Sequence, residues 1–595
     1  MNIKEVIQKL IAQAFISIAP QYGVISRITL DHILLEHPTE INHGDYSTNI
    51  ALLYAKSFGK PPREIAEKIR EEISDLVEKD GIKEIEKIEV AGAGFINFYL
   101  SREFFVESIK EIINEENFGR TKHFEGKVWE IEHTSPNPNK AMHLGHLRNN
   151  VTGMAISNIL EANGAKVIRE EVDNNRGIAI AKLMWGYLKF ARKDSDGITD
   201  VDYWHNHKNE WHTPDSFSMR PDKFVDALYV KGSEDFKNKD IEKIVRDFVV
   251  RWENKDSVIW DLWETVLHYA YEGQEKTLKR LGNKWDYVWH EHEHYQEGKD
   301  LVAEGLKKGI FKKLEDGAIL TNLEKYGFSD TIVQKSDGTA LYITQDIALT
   351  KLKKEKFKAD FMAWVIGPEQ SLAMNQMFAV CDALGIGTFS HFLHIPYGYM
   401  SIKGKGKMSS REGTVLYIDD ILDEAKVVVK EKVKGEWSEE DKETISEAVA
   451  LGAVKFSILK SGRLTNTAFD FDTSLELEGD SGPYLMYSFV RSNSIVEKSK
   501  NVTTESGVLP TQVYPIEKIL YRFPEIVEKA GVDLAPNYIV TYLTELASAF
   551  NSFYAEGLII SDAPDSPYKV AVTKAFSIVM KKGLELLGIP VLKKM

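Results

Sequence analysis

The chain has 595 residues, 43% of them hydrophobic and 28% charged, the balance of a globular protein with room for three or four domains. Its one cysteine, Cys381, excludes an internal disulfide and a cysteine-built zinc site, and no stretch approaches the roughly 18 apolar residues of a membrane span. The net charge of −15 argues against a uniformly basic nucleic-acid binder but leaves local cationic patches open.

Residues 3–18 and 63–77 carry apolar side chains at helical spacing, the second stretch directly after Pro61 and Pro62. The opening segment holds Lys4, Glu5 and Lys9 and no arginine, unlike a signal or transit peptide; with the cysteine usage this points to the cytoplasm. Residues 88–100 read as strand, glycine turn, strand. Together these predict a small α+β unit over 1–118 with no titratable cluster.

The most informative stretch is 127–164. Residues 127–132 (KVWEIE) alternate as a strand does, a turn broken by Pro136 and Pro138 follows, and a helix opens near His143. Leu147, Val151, Met154, Ala155 and Ile159 share its inner face, and Asn163-Gly164 closes it. His143, Gly145 and His146 thus fall at a helix N-terminus, whose free N–H groups and partial positive charge suit a phosphate. Gly145 lets a ligand ring approach the backbone, and histidines at i and i+3 can reach one phosphate chain.

Over 119–430 strands and helices alternate, which predicts a doubly wound α/β sheet with a second strand at 166–172. Residues 191–260, polar and Trp-rich, read as an irregular insertion. YVWHEHEHY, read as a strand, would put His290, His292 and His294 on one face, a minor case for a metal site; no metal site is assigned. Asp337-Gly338 is a hairpin signal. Tyr342 and Asp346 share a face if a helix begins there, and 363–370 is a buried strand running into a glycine turn. The run KLKKEKFK, 351–358, is either a solvated helix face or an RNA contact. KGKGKMSSREGTV, 403–415, makes a cationic, glycine-interleaved loop suited to a polyphosphate, or a solvated turn. Beyond 430 the pattern is helical throughout. Tyr484, Tyr487 and Arg491 fall on one helical face, a base-stacking surface or a packing stripe.

SPNPNKAMHLGH, residues 135–146, resembles the ATP-binding signature of class I aminoacyl-tRNA synthetases, and its S-P-N-x-x-K-x-x-H-x-G-H-L-R form resembles the arginyl branch. The resemblance runs through HGDYSTN (43–49), GFINFYL (94–100), DNNRG (173–177), SDGTALYITQDIA (336–348), KMSS (407–410), SGPYLMYSFVRSNSIV (481–496) and the final GIPVLKKM. It implies a Rossmann-like parallel-sheet α/β catalytic domain at 119–430, inserted at about 191–260. It also implies an N-terminal α+β domain at 1–118 that binds the tRNA elbow, and a C-terminal all-α anticodon-binding bundle at 431–595. The implied activity is ATP-dependent attachment of L-arginine to arginine tRNA through an arginyl-adenylate, by a cytoplasmic monomer, with Mg²⁺ carried by the ATP.

The same resemblance implies that His143, Gly145, His146, Lys407, Met408 and Ser409 bind ATP, with Lys140 adding charge. Glu132, Asn137, Glu291, Tyr342, Asp346 and Gln370 would hold arginine, and Tyr484, Tyr487 and Arg491 would meet tRNA. Departures stand at His292, where the family has Ser, at Gln345, where it has Arg, and at Ser410, where the K-M-S-K-S loop has its second lysine. They keep two other readings open: a relative that binds tRNA without charging it, and a ligase for another amino acid. Three carboxylates in the pocket disfavour an apolar substrate.

Overall fold

The computed structural model describes residues 3–24, 28–194, 197, 199–338, 341–404, 416–433, 435–499 and 508–595. They form two compact units, one of residues 1–119, 488–526 and 542–582 and the other of residues 120–487, 527–541 and 583–595.

In the first unit, helices Ile3–Ile18 and Pro62–Asp80 pack on an antiparallel three-stranded sheet in which Phe95–Leu100 lies between Tyr46–Thr48 and Ile85–Ala91. Ile65, Ile69 and Ile73, predicted as the inner stripe of the second helix, are fully buried. The helices after residue 488 in this unit pack directly on that domain. Tyr521 enters its core against Phe104 and Phe105, with ring centroids 5.3 and 5.8 Å away. Glu525 receives the Tyr46 hydroxyl and pairs with Lys4 at 3.3 Å, while Glu517 receives Arg102 and, at 2.8 Å, the Tyr568 hydroxyl. The sequence division at residue 430 follows helical content; the compact units instead divide the helical region, because 431–487 packs on the sheet domain.

The second unit is built on a five-stranded sheet. Its order is Phe392–Pro396, Phe361–Ile366, Val128–Glu132, Lys166–Asp173, Tyr287–His290, and every pairing is parallel. Val128–Glu132 sits in the middle because the chain leaves it in one direction through helix Leu144–Ala162 and returns on its other side much later. The crevice at the carboxyl ends of such central strands is where doubly wound sheets bind ligands. Alternation assigns the two faces of this strand: Trp129 and Ile131 join an apolar cluster with Ile156, Leu160 and Val365, while Glu130 and Glu132 face the other way.

Four sequence expectations change here. The stretch 191–260 is not irregular: it holds helices Val201–Asn206, Pro221–Asp235 and Lys239–Glu253 and leads into Ser257–Leu281. Phe224, Val225 and Leu228, then Val245, Phe248 and Trp252, keep helical spacing, and with Trp185, Trp204, Trp211 and Trp263 they form a separate core. The strand through YVWH stops at His290, and Glu291–His294 is a helical turn, so the three histidines are not alternate strand positions. The Asp337-Gly338 turn follows strand Ile332–Gln334, but the next element is helix Tyr342–Phe357, not a second strand. The region beyond 430 includes one strand, Thr467–Phe469, paired in parallel with Met400–Ile402.

Candidate active site

Glu132 ends the central strand, and the backbone then takes a strained path, with Thr134 at φ 72° and Ser135 at φ 35°. Side chains of the following helix hold this turn. Asn149 Oδ1 accepts from the Thr134 amide at 2.7 Å, and Asn150 donates to the Thr134 hydroxyl at 3.1 Å. Gln274 fixes the next loop by donating to the carbonyls of Asn137 and Lys140 at 3.1 and 3.2 Å. Gly153 is where the helix meets the turn: an added Cβ would lie 2.5 Å from the His133 side chain.

His143 caps the helix Leu144–Ala162. Its Nδ1 accepts from the Gly145 amide at 3.2 Å, and the His146 Nδ1 accepts from the His143 amide at 3.1 Å. This is a capping box made of two imidazoles. With both Nδ1 atoms accepting, each neutral ring carries its proton on Nε2. Burial, reinforced by the nearby Lys140 ammonium, lowers His143 to about 4, and burial followed by His143 holds His146 well below the usual histidine range. The rings stack at 4.0 Å, an arrangement of two neutral N–H donors. At Gly145 the space a Cβ would take is filled by the His143 ring, at 3.1 Å.

The segment following the cationic loop is tied to this helix start. Leu144 donates to the Leu416 carbonyl at 3.0 Å, and Ile418 donates to the Met142 carbonyl at 3.1 Å. On the loop's other flank, Lys403 pairs with Asp470 at 2.7 Å. Lys407, Met408 and Ser409 themselves lie outside the described residues. Arg148, buried in the same helix, donates to the carbonyls of Tyr399, Arg463 and Thr465 and to the Thr467 hydroxyl, between 2.6 and 3.0 Å. Nothing in its sequence position beyond the H-L-R string signals this role.

Three carboxylates expected around arginine lie at the same end of the sheet, and two have internal cationic partners. Glu132 pairs with Lys353 at 2.8 Å. Glu291 faces Arg176 at 3.6 Å; burial raises its carboxyl and Arg176 opposes that. The Arg176 guanidinium also lies 3.9 Å from the Tyr295 ring centroid and 2.7 Å from Glu253. Asp346 keeps an exposed surface on the helix Tyr342–Phe357, and desolvation by the protein packed around its carboxyl, then Glu132 and Glu291, raises it to about 7, with Lys353 opposing. Tyr342 begins this helix and is 83% exposed; Gln370 is exposed just past the strand Phe361–Ile366, and Asn137 is half-buried.

The histidine-rich stretch is engaged locally. His290 Nδ1 lies 2.8 Å from Asp173, whose other partner is the Tyr271 hydroxyl at 2.6 Å, and His292 Nδ1 lies 2.9 Å from Asn175. Among the described residues no group of three or more such side chains is arranged to hold a metal ion. Residues 351–358 are not one cationic face, as either sequence reading required: Lys353 is buried among carboxylates and Lys356 lies over the Tyr287 ring at 4.1 Å. The signal lay in spacing, since Asp346, Thr350 and Lys353 stand at i, i+4 and i+7. Tyr484 and Tyr487 are half-buried on Gly482–Lys498, and Arg491 donates to Asn551 at 2.9 Å.

Comparison with known proteins identifies the family. Residues 108–471 match the family model for the class I (R) tRNA synthetase catalytic domain, 1–100 the arginyl-tRNA synthetase N-terminal domain, and 485–595 the DALR anticodon-binding domain. The arginine–tRNA ligase of Treponema denticola is 31% identical over 617 aligned positions covering 100% of each chain. That of Bacteroides thetaiotaomicron is 30% identical, covering 84% of this chain and 86% of its own. The fold is shared with the arginyl-tRNA synthetases of Thermus thermophilus (TM-score 0.76, 22% identity, 100% of both chains) and Plasmodium falciparum (TM-score 0.79, 18% identity, 100% and 99%). These matches place the chain in the class I arginyl-tRNA synthetase family, the ATP-dependent ligases that join arginine to its tRNA through an arginyl-adenylate.

Proposed function

We propose that arginine is activated in the cleft at the carboxyl ends of the central strands, and that His143 and His146 meet the phosphates of ATP. The observation that carries this is the imidazole capping box. It fixes both rings through their Nδ1 atoms and leaves two neutral Nε2–H donors at the positive end of a 19-residue helix. Neutral donors bind phosphate oxygens without having to lose a proton as the reaction proceeds.

The first step is attack of the arginine carboxylate on the α-phosphate, which asks for positioning and charge stabilisation more than for proton transfer. Lys140 and Lys407 would neutralise the phosphate chain, with Gly145, Met408 and Ser409 beside it. Mg²⁺ enters as part of the nucleotide, since it is held largely by phosphate oxygens and water. Asp346, aided by Tyr342, Glu132 and Glu291, would receive the planar guanidinium, and Asn137 and Gln370 the amino and carboxyl ends. The terminal ribose of the tRNA then takes the arginyl group from the adenylate.

The N-terminal domain would meet the tRNA elbow. Support comes from a cavity of about 470 Å³ whose lining includes His43, Ser47, Asn49, Phe95 and Asn97, drawn from the two family-like motifs of that domain. Tyr484, Tyr487 and Arg491 are proposed for the anticodon side, over a bundle at 431–595. We also assign a cytoplasmic, monomeric enzyme; the described residues include no helix long and apolar enough to cross a membrane. The test is aminoacylation of total tRNA with each of the twenty amino acids. Arginine alone should be incorporated, and His143→Ala or His146→Ala should slow it without weakening arginine binding.

A further inference from the structure

Lys353 is an almost fully enclosed cation against Glu132 at the end of the central strand. Its side chain is 1% exposed, and its ammonium lies 2.8 Å from Glu132, 3.6 Å from Glu130 and in direct contact with Glu170. The Trp364 ring closes over it at 5.7 Å. The sheet explains the grouping. Glu132 and Glu170 are register partners on adjacent parallel strands, and Glu130 is two residues before Glu132 on the same face. A helix crossing that face with a lysine one turn beyond Thr350 delivers the ammonium among all three. Glu170 is held from a second side by the Trp289 indole N–H at 2.8 Å.

One buried ammonium against three carboxylates is unusual for a purely structural role, because an apolar substitute set would fill the same space at no desolvation cost. The arrangement has a consequence at the cleft. Glu132 Oε2 is committed to Lys353, and its Oε1 receives the Ser135 hydroxyl at 3.4 Å. Glu291 is balanced by Arg176. Among the described residues, Asp346 alone of the three cleft carboxylates has no such cationic partner. It stands seven residues before Lys353 on the same helical face.

We propose that Lys353 is a positioning and specificity-determining residue for arginine: it anchors Glu132 and offsets its charge, so that Asp346 is the carboxylate presented to the substrate guanidinium. The proposal rests on the reading that Asp346 receives that group. Its electrostatic side is consistent. The buried ammonium is desolvated, which would lower it, but Glu132, Glu170 and Glu130 hold it above the usual lysine range. Lys353 in turn opposes the upward shift of Asp346. The other titratable groups facing this pair are Glu291 and His294 from the turn 291–294 and Cys381 from the helix Ser371–Leu384.

The experiment measures arginine and ATP dissociation constants of the full-length protein from pH 6 to 9, with melting temperatures, for wild type, Lys353→Met, Lys353→Arg and Asp346→Asn. Wild-type arginine affinity should rise with pH through about 7 and then level. Lys353→Met should weaken arginine about 10- to 100-fold at pH 7, the range for losing a charged hydrogen-bond partner. It should also move the acid limb to higher pH, with ATP affinity within about twofold, and Lys353→Arg should restore part of both. If Lys353→Met does not fold, Lys353→Met/Glu170→Gln removes a carboxylate together with the cation. That pair should fold and still bind arginine poorly, because Glu132 has lost its anchor. Arginine binding with wild-type affinity and pH dependence in either variant overturns the role of Lys353. Wild-type affinity in Asp346→Asn overturns the reading of the pocket itself, and the proposal with it.

Discussion

The amide of Leu144 donates to the carbonyl of Leu416 at 3.0 Å, joining the first residue of the histidine-capped helix to the end of the lysine- and glycine-rich segment 403–415. With the Ile418–Met142 bond and the Lys403–Asp470 pair, both flanks of that segment are fixed in the unit that carries His143 and His146. Lys407, between these anchors in the sequence, is the residue proposed to neutralise the phosphate chain of ATP. Lys407→Ala should therefore slow adenylate formation by about 10²-fold, typical of removing one donor that meets charge developing in the transition state. Arginine affinity should stay near wild type, since such interactions lower kcat more than they raise KM. A single-turnover rate within a few-fold of wild type would mean the segment is only a solvated turn.

Much of this geometry was legible in the sequence, for reasons that differ by element. The strand–turn–helix over 128–162 could be read because alternation gives way to helical periodicity across a proline-broken turn, and tertiary packing reinforces both. The HEHEH stretch could not, because a strict alternation of polar residues is as compatible with a short helical turn as with a strand, and only the Asp173 and Asn175 partners decide. Residues 191–260 misled through composition: the charges occupy the outer faces of helices whose inner faces carry the tryptophans. Lys353 was hidden by its neighbours in a lysine run, since burial of a charge depends on carboxylates contributed by strands more than 180 residues earlier.

Glu291→Gln should weaken arginine more than ATP. The amide keeps the shape but loses the charge, both toward a substrate guanidinium and toward Arg176, whose guanidinium then keeps Glu253 as its carboxylate. A rise in arginine KM of about 10- to 100-fold, with ATP KM changed by less than about threefold, is expected. Steady-state kinetics decide this: an unchanged arginine KM would place Glu291 outside the pocket, as the partner of Arg176.

Arg148 offers a stability test separate from substrate contact. It is 1% exposed and satisfies three carbonyls and a hydroxyl across residues 399–467. Arg148→Met leaves those acceptors without their donor, at roughly 1–3 kcal/mol for each one that water does not reach in its place. Arg148→Lys keeps the charge but replaces a planar fork by a point donor, and should recover only part of the loss. Chemical denaturation should rank wild type above lysine above methionine. Equal stability of the lysine variant and wild type would show that charge alone, not the fork, holds this region.

Acid should destabilise the second unit through its buried histidines. Burial, then Arg169, lowers His133 from 6.5 to about 3, and burial, then lysine, lowers His143 and His294 to about 4. A base whose folded value lies below its unfolded value binds its proton first in the unfolded chain. The unfolded state therefore takes up more protons between about 6.5 and about 4, and stability falls as pH is lowered through that window. At pH 5 each such histidine contributes at most about 2 kcal/mol of this loss, from 1.36 kcal/mol per pH unit below the unfolded value. Titrating carboxylates contribute over the same range, so the isolating measurement is a difference. His133→Gln removes one depressed base beside Trp285, with ring centroids 4.6 Å apart in the native protein, and should make the fall in melting temperature from pH 7 to pH 5 shallower. His123→Gln, an exposed position, should leave that fall unchanged. Parallel falls for wild type and His133→Gln would show that His133 takes up its proton alike in the folded and unfolded chain, and would remove His133 as a source of the acid sensitivity.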